Sequence, residues 1–242
     1  MWQSSNSPYS RIGLRMTKQI AEKYWQETFQ KLIDAEVVKT DTIPSEWRAG
    51  GRATKAYPNK ENDIWWSDNG PKMVDNFIQW WQNSKWSIYY GAPDAPHIEA
   101  EYNVMFGNVQ VKAFVDLIAI TPNNELVVID YKAGAYMPDY NMQLGLYACC
   151  MEITEGVRPD KGFFYNARQG IMEDAGDLSR WTIPVFTELF SKFEKALELE
   201  IFLPNIGMTC KSCSVAKYCY ASGGELADKY DPLASIDQGE RK

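Results

Sequence analysis

The pattern of apolar and polar residues predicts a β-hairpin in the middle of the chain. Residues 109–120 and 127–132 are rich in β-branched and aliphatic side chains, which favour strands. Residues 121–125 separate them, and their proline and two asparagines are typical of a turn. Each strand carries one acid in an apolar setting, Asp116 on the first and Asp130 on the second.

The length of the turn decides whether these two acids share a face of the sheet. A three-residue loop, 122–124, pairs Asp116 directly with Asp130, whereas a four-residue loop, 122–125, places Asp130 on the opposite face. Asparagine tolerates the left-handed conformation needed at the last position of a three-residue loop, and a β-bulge would serve equally. We therefore expect the register that places both acids on one face. Like charges placed opposite each other destabilise a sheet, and the predicted register therefore indicates a divalent cation between them.

Three further polar side chains follow this hairpin. Lys132 lies two positions after Asp130, so both should project from the same face of the strand. Residues 139–151 are predicted to form an apolar helix, and its polar-tipped residues Gln143 and Tyr147 are four apart, which places them on one helical face.

The remaining pattern predicts helices on both sides of a sheet. We expect helices over 10–38, 64–84 (where Gly70-Pro71 can introduce a break) and 183–202, a first core strand over 97–104, and a strand over 163–167 that closes the sheet. The expected organisation is a single α/β domain over 1–221, in which a helical N-terminal region spans 1–92, the core 93–168, and a C-terminal helix and cysteine segment 178–221, followed by a polar tail over 222–242.

Charge and composition limit the classes of molecule that this protein could bind. The 242-residue chain has a net charge of −7, which argues against a generally basic nucleic-acid binder. Residues 40–63 carry four cations and two aromatics: Arg48, Arg52, Lys55, Lys60, Trp47 and Tyr57. This segment could hold single-stranded DNA through phosphate pairing and base stacking, or it could be a solvent-facing loop pinned by two aromatic anchors.

The chain shows no signal peptide and no apolar run as long as a membrane span, so we expect no membrane partner. Five cysteines without an export signal indicate a reducing cytoplasm.

The ordered set of Asp116, Asp130, Lys132, Gln143 and Tyr147, on strand, strand and helix, resembles the core of the PD-(D/E)XK nuclease superfamily. It is most similar to the RecB-like branch, which includes the AddB nuclease domain and CRISPR-associated RecB-like exonucleases. The resemblance covers residues 10–219 and implies a restriction-endonuclease-like core, a mixed sheet flanked by helices. RecB-like nucleases often carry a metal-binding histidine where this chain has Val74.

The resemblance implies metal-dependent hydrolysis of DNA phosphodiester bonds by an exonuclease acting on single strands or DNA ends. The implied ligands of Mg²⁺ or Mn²⁺ are Asp116, Asp130, the Tyr131 carbonyl and Glu101, with Glu99 as a candidate on the same face by alternation. Lys132 would orient or deprotonate the attacking water, and Gln143 and Tyr147 would hold the phosphate or the nucleophile.

Several roles are compatible with this assignment. They include recombination, repair and phage DNA processing in the cytoplasm of a bacterial or phage-infected cell. The protein could act with a recombination or helicase protein as its partner, or as a homo-oligomer. The alternative is an inactive, nuclease-like DNA-binding or assembly protein, for example in CRISPR adaptation. The single histidine, His97, is either structural or a replacement for the missing helix histidine.

Three cysteines near the C-terminus, Cys210, Cys213 and Cys219, resemble the C-terminal section of the iron–sulfur staple of AddB and its relatives. The resemblance implies a [4Fe-4S] cluster, but the N-terminal fourth cysteine is missing. Cys149, Cys150 or a non-cysteine ligand could complete the site, a three-cysteine cluster could form, or the segment could bind zinc or no metal.

Overall fold

The computed structural model describes residues 18–47, 49–91, 95–201 and 203–227. The helices are α1 (Lys18–Thr40), α2 (Asp63–Ser84), α3 (Met142–Glu155) and α4 (Ile183–Glu198). The strands are β1 (Ser87–Ile88), β2 (Tyr90–Gly91), β3 (Ala95–Pro96), β4 (Ile98–Phe106), β5 (Val109–Ile120), β6 (Leu126–Lys132), β7 (Lys161–Asn166) and β8 (Ile171–Asp177). Of the helix expected over 10–38, residues 10–17 lie outside the described ranges, as does most of the expected tail.

A six-stranded mixed sheet forms the centre of the fold. Strand β5 pairs antiparallel with β1, β4 and β6, β6 runs parallel to β7, and β8 pairs antiparallel with β7. The α/β class with a central mixed sheet is therefore confirmed. The expectation that the strand near 163–167 closes the sheet is wrong, because β8 lies outside β7. Residues 171–177 contain three acids and a glycine, so they lack the apolar run that would have marked a strand.

Both faces of the sheet are covered. One face packs Ile118 and Val128 against Leu144 and Met151 of α3. The other packs Leu117, Val127 and Tyr165 against the aromatic residues Phe77, Trp80 and Trp81 of α2. Neither face is open to water along these strands, and the sequences of β5 and β6 are therefore almost continuously apolar where the strands cross the core.

Helix α2 runs through Gly70 and Pro71 without the break that its sequence suggested. Proline removes one backbone hydrogen bond, but residues on both sides of it are held by packing. Gly70 lies directly against the indole of Trp25 on α1, where an added Cβ would overlap the ring. Met73, two residues after the proline, is buried. Tertiary contacts thus keep the helix continuous.

The chain divides into two compact units, residues 1–190 and 191–242. The first contains the whole sheet, and the second contains the cysteine segment with its short 3₁₀ turns Met208–Ser212, Ala216–Tyr218 and Tyr220–Ser222. Among the helices of the described ranges, none combines the length and the apolarity that crossing a membrane requires.

Candidate active site

The β5–β6 hairpin has the register that brings its two acids together. Leu117 lies opposite Ile129 and Ile118 opposite Val128, and the same register continued by one residue places Asp116 opposite Asp130. The Thr121 N–H donates to the Glu125 carbonyl at 2.9 Å, which leaves residues 122–124 as the loop. Asn124 has a φ of 63°, the left-handed conformation. The predicted three-residue loop is therefore confirmed.

The two acids lie in an apolar environment under α3. Asp130 is only 2% exposed, and Asp116 is partly buried. Burial raises the pKa of the Asp116 carboxyl, while the Tyr131 N–H, which donates to its Oδ2 at 2.7 Å, lowers it. Burial also raises the pKa of Asp130, against the lowering effect of the adjacent Lys132, and the charge of Asp116 raises it further. Two carboxylates facing each other repel, and a cation bound between them would relieve that repulsion.

Lys132 connects the acids to helix α3. Its Nζ lies 2.6 Å from Asp130 Oδ2 and donates to Gln143 Oε1 at 2.9 Å. The Gln143 Nε2 in turn donates to the hydroxyl of Tyr147 at 2.7 Å, and burial raises the pKa of that hydroxyl. The structure thus brings all five residues of the predicted array into one connected group, whose catalytic roles stay predictions.

Glu101, the third acid in the predicted set, lies away from the facing pair. Glu101 is exposed, forms an ion pair with Lys112 at 2.8 Å, and accepts from Asn103, so it does not join the other acids. The β4–β5 register instead places Glu99 opposite Asp116. Burial, followed by the charge of Asp116, raises the pKa of Glu99.

The physical reason for this difference is local. Glu99 has a φ of 51°, so β4 departs from a regular strand at this residue. Its neighbours consequently pack on different faces, Ile98 with the α2 side and Ala100 with the α3 side. The alternation that was expected to put Glu99 and Glu101 on one face is interrupted between them, and nothing in the sequence marks that interruption.

The start of α3 is fixed by a buried amide. Asn141 Nδ2 donates to the carbonyls of Ala175 and Asp177 at 2.6 and 3.2 Å, and its Oδ1 accepts from Trp181 Nε1 at 2.8 Å. Gly145 gives the Trp181 ring room, since an added Cβ would overlap it. These contacts hold the helical turn that presents Gln143 and Tyr147. The helix starts at Met142, three residues later than predicted.

Arg168 holds the chain immediately after Lys132, a role that no sequence pattern indicated. Its Nε donates to the Ala133 carbonyl at 2.6 Å, and its Nη1 and Nη2 donate to the two carboxylate oxygens of Glu61 at 3.0 and 2.8 Å. The guanidinium also lies over the Trp65 ring, 4.7 Å from its centre. Glu61 and Arg168 are 107 positions apart, so no local pattern could have paired them.

His97 does not replace the missing helix histidine. Its buried ring has Nε2 at 2.6 Å from Glu155 Oε1, while Nδ1 lies 3.2 Å from both the Gly91 nitrogen and the Ala95 oxygen. Both ring nitrogens therefore have protein partners, as the structural interpretation of this residue requires.

Comparison with known proteins agrees with this geometry. The sequence model of the PD-(D/E)XK nuclease superfamily matches residues 15–220. The chain belongs to the PD-(D/E)XK nuclease superfamily. It is also 28% identical over 191 residues to the "Gene 69 protein" of Mycobacterium phage D29, an alignment that covers 70% of this chain and 69% of that protein. The match is to the superfamily, and the RecB-like branch stays a prediction.

PD-(D/E)XK nucleases typically use divalent metal ions such as Mg²⁺, and the donor set found here fits one. Asp116 and Asp130 offer hard carboxylate oxygens, which suit Mg²⁺ or Mn²⁺. Asp130 Oδ2 is buried with the Lys132 ammonium 2.6 Å away, yet among the described residues it accepts no hydrogen bond within ordinary angular limits. An oxygen in that position is suited to a cation.

The described ranges contain no cluster of three or more histidine, cysteine, aspartate or glutamate side chains arranged to hold a metal. Mg²⁺ does not need such a cage, since it usually binds one or two carboxylates and completes its shell with water and substrate phosphate. The Tyr131 side chain packs against Phe77 and Tyr165 on the far face of the sheet. Of Tyr131, only the backbone carbonyl is therefore a candidate metal ligand.

The cysteine segment is not assembled as a metal site. Cys210, Cys213 and Cys219 are free, and their thiols do not form a group of metal ligands. The backbone N–H and hydroxyl of Ser222 lower the pKa of the Cys219 thiol. Cys149 and Cys150 are buried in α3, where Cys149 Sγ donates to the Trp181 carbonyl at 3.1 Å. Neither an iron–sulfur cluster nor zinc is supported by this arrangement, and binding at this segment stays a prediction.

Proposed function

We propose that this PD-(D/E)XK nuclease is a metal-dependent DNA exonuclease that hydrolyses phosphodiester bonds on single strands or at DNA ends. The observation that carries the proposal is the facing pair Asp116 and Asp130, with Lys132 Nζ 2.6 Å from Asp130 Oδ2. Two acids and a lysine on one sheet face, under a helix that presents an amide and a phenol, form a site suited to binding a cation next to a phosphate.

Asp116, Asp130 and the Tyr131 carbonyl would hold Mg²⁺ or Mn²⁺, with Glu99 in the place first assigned to Glu101. The ion, when bound, lowers the pKa of a water and offsets charge that develops on the phosphate. Lys132 would orient that water or take its proton. Its ammonium lies 2.6 Å from Asp130 Oδ2 and donates to Gln143 Oε1, which holds it beside the acids.

Gln143 and Tyr147 complete the other side of the site. Gln143 accepts from Lys132 through its oxygen and donates to Tyr147 through its nitrogen, so hydrogen bonds link the three side chains. A phosphate that enters above α3 would meet the remaining donor capacity of the Gln143 amide and the Tyr147 hydroxyl.

Single strands or frayed ends are the proposed substrate because of the loop that joins β6 to α3. Tyr136, four residues after Lys132, is 90% exposed. An exposed aromatic ring at the edge of the site can stack on an unpaired base, a contact worth about 1–3 kcal/mol per base. We place the activity in recombination, repair or phage DNA processing in the cytoplasm, and similarity to a phage protein is compatible with the last of these.

The test is degradation of end-labelled single-stranded and double-stranded DNA with Mg²⁺, with Mn²⁺ and with chelator. Wild type should cleave only with metal, and Lys132→Ala should lose cleavage by at least two orders of magnitude, the usual contribution of a positioned acid–base group, while keeping DNA binding. Lys161→Ala is the matched control, because Lys161 begins β7 at the opposite end of the sheet. Cleavage retained by Lys132→Ala would refute the site.

A second candidate function is a DNA-binding or assembly protein on the same scaffold. It is favoured by Val74, which stands on α2 where RecB-like relatives often have a metal-binding histidine. Metal-dependent turnover separates the two: a clean, metal-loaded protein that binds DNA but never cleaves it would support this second function.

A further inference from the structure

The loop of residues 50–61, called here the basic loop, carries three exposed cations, Arg52, Lys55 and Lys60. Within the part of the chain that the structure describes, none of their side chains forms an ion pair or hydrogen bond. Several cations elsewhere have acidic partners: Lys23, Lys39, Lys112, Lys161 and Arg158. In a protein with a net charge of −7, such a local positive surface is unusual.

The aromatic residues around this loop are used to build it. The Tyr57 hydroxyl donates to Asp68 Oδ2 at 3.1 Å, and its ring contacts Trp65 edge to face at 6.4 Å. Trp47 Nε1 donates to Thr42 Oγ1 at 2.8 Å. The sequence left open whether these aromatics stack on DNA bases or anchor the loop, and their contacts are those of anchors. The three cations are exposed, whereas Trp47 and Tyr57 are partly buried, so the loop is suited to contact phosphates and not to stack on bases.

The loop is tied to the end of β6. Its two ends meet where the Glu61 N–H donates to the Gly50 carbonyl at 3.1 Å. The Glu61 carboxylate is bridged by Arg168 to the Ala133 carbonyl, and Ala133 directly follows Lys132. The Ala167 N–H also donates to the Lys132 carbonyl at 3.0 Å. One guanidinium therefore fixes the base of the loop beside the strand end that presents Asp130 and Lys132.

From this arrangement we infer that the basic loop binds the phosphate backbone of the DNA strand whose scissile bond enters the active site. The inference rests on the proposed nuclease function and adds a substrate-binding surface to it. DNA carries one negative charge per nucleotide, and both the protein as a whole and its two active-site acids repel it. Cations fixed beside the site offset that repulsion without reading sequence, since phosphate contacts position a strand and carry no base information.

The test is the salt dependence of binding to a fluorescent single-stranded oligonucleotide, measured in chelator so that no cleavage occurs. Removing one phosphate contact should reduce the slope of log K against log salt by roughly 0.7. Arg52→Gln/Lys55→Gln should therefore have a slope that is less steep by roughly 1.4, and Lys55→Gln alone by roughly 0.7. Lys60 is left unchanged because its φ of 63° makes substitutions there a risk to the loop backbone.

The matched control is Lys112→Gln/Lys161→Gln, which removes the same charge at two residues paired with Glu101 and Glu125. Its slope should equal that of wild type. Melting temperatures equal to wild type would show that each variant is folded. A folded loop variant with the wild-type slope, a control whose slope falls as much as that of the loop variant, or a wild type that does not bind DNA would each overturn the inference.

The outcome is separable from that of the proposed function. A wild type that binds DNA through the basic loop but does not cleave it with Mg²⁺ or Mn²⁺ would reject the exonuclease and leave the basic loop as a surface that binds DNA phosphates. A wild type that cleaves, together with a loop variant whose slope is unchanged, would reject only the inference.

Discussion

At the scale of single residues, the facing acids Asp116 and Asp130 would bind a metal at a cost to the stability of the metal-free fold. Asp116 and Asp130 face each other with raised pKa values, and Lys132 and the Tyr131 N–H offset part of their charge. Like charges opposite each other in a sheet are destabilising. A site with this composition should be less stable when empty than one with a single charge.

We therefore expect Asp116→Asn to raise the melting temperature in chelator at neutral pH. The amide oxygen can still accept from the Tyr131 N–H, so the change removes the repulsion and keeps the hydrogen bond. The gain should be on the order of 1 kcal/mol or less, as for other cross-strand pairs. Glu101→Gln is the control, because this exposed acid has a lysine partner and should gain nothing.

The pH dependence of that gain follows from the sign of the shift. A carboxyl whose pKa is raised in the folded state stabilises the fold when protonated, and this contribution is lost as pH rises through the raised pKa. The advantage of Asp116→Asn over wild type should therefore be largest at neutral pH and shrink as the solution is acidified. An advantage that grows toward acid pH would contradict the assignment of raised pKa values to this pair.

Single residues also show which parts of the candidate site the sequence predicts and which parts depend on the fold. Asp116, Asp130 and Lys132 could be found because strand periodicity and turn length fix which side chains share a face. Glu99 could not be separated from Glu101, because the positive φ of Glu99 depends on tertiary packing. Arg168 was missed for a related reason, since its partners Glu61 and Ala133 are brought together only by the fold.

At the scale of elements, the three-residue loop 122–124 is what sets the site. Side chains alternate along a strand, so a slip of one residue would turn Asp130 to the opposite face from Asp116. The strand lengths and the two asparagines predicted this loop correctly. The sequence did not predict that helix α2 is continuous, because packing overrides the effect of its proline. It did not predict strand β8 either, because this edge strand carries polar residues.

The left-handed Asn124 is the residue on which this register depends. Asn124→Val should lower the free energy of unfolding by roughly 1–2 kcal/mol, because a β-branched side chain clashes with the backbone in that conformation. Asn124→Gly should stay close to wild type and retain nuclease activity, since glycine adopts the same conformation freely. Urea denaturation of the three proteins measures this. Equal stability of the valine and glycine variants would mean that the loop does not require a positive φ.

At the scale of the whole molecule, an acidic protein that acts on DNA must concentrate its positive charge. Here the net charge of −7 coexists with the facing pair of acids proposed to bind metal and with a basic loop fixed beside them by Arg168. Bound metal and loop cations would act on the same strand, the first at the scissile phosphate and the second at its neighbours. Overall charge, used alone, would have argued against a nuclease.

Metal binding should accordingly be visible in the stability of the whole chain, and it offers a direct test of the third acid. A ligand that binds only the folded state stabilises it by about 2.7 kcal/mol at one hundred times its Kd. We expect Mg²⁺ or Mn²⁺ to raise the melting temperature of wild type and to leave Asp130→Asn unchanged. Glu99→Gln should need more metal for the same rise, because Glu99 lies opposite Asp116, whereas Glu101→Gln should titrate like wild type. If Glu101→Gln needed more metal than wild type and Glu99→Gln did not, Glu101 would be the ligand. No rise in the melting temperature of wild type would rule out the metal site.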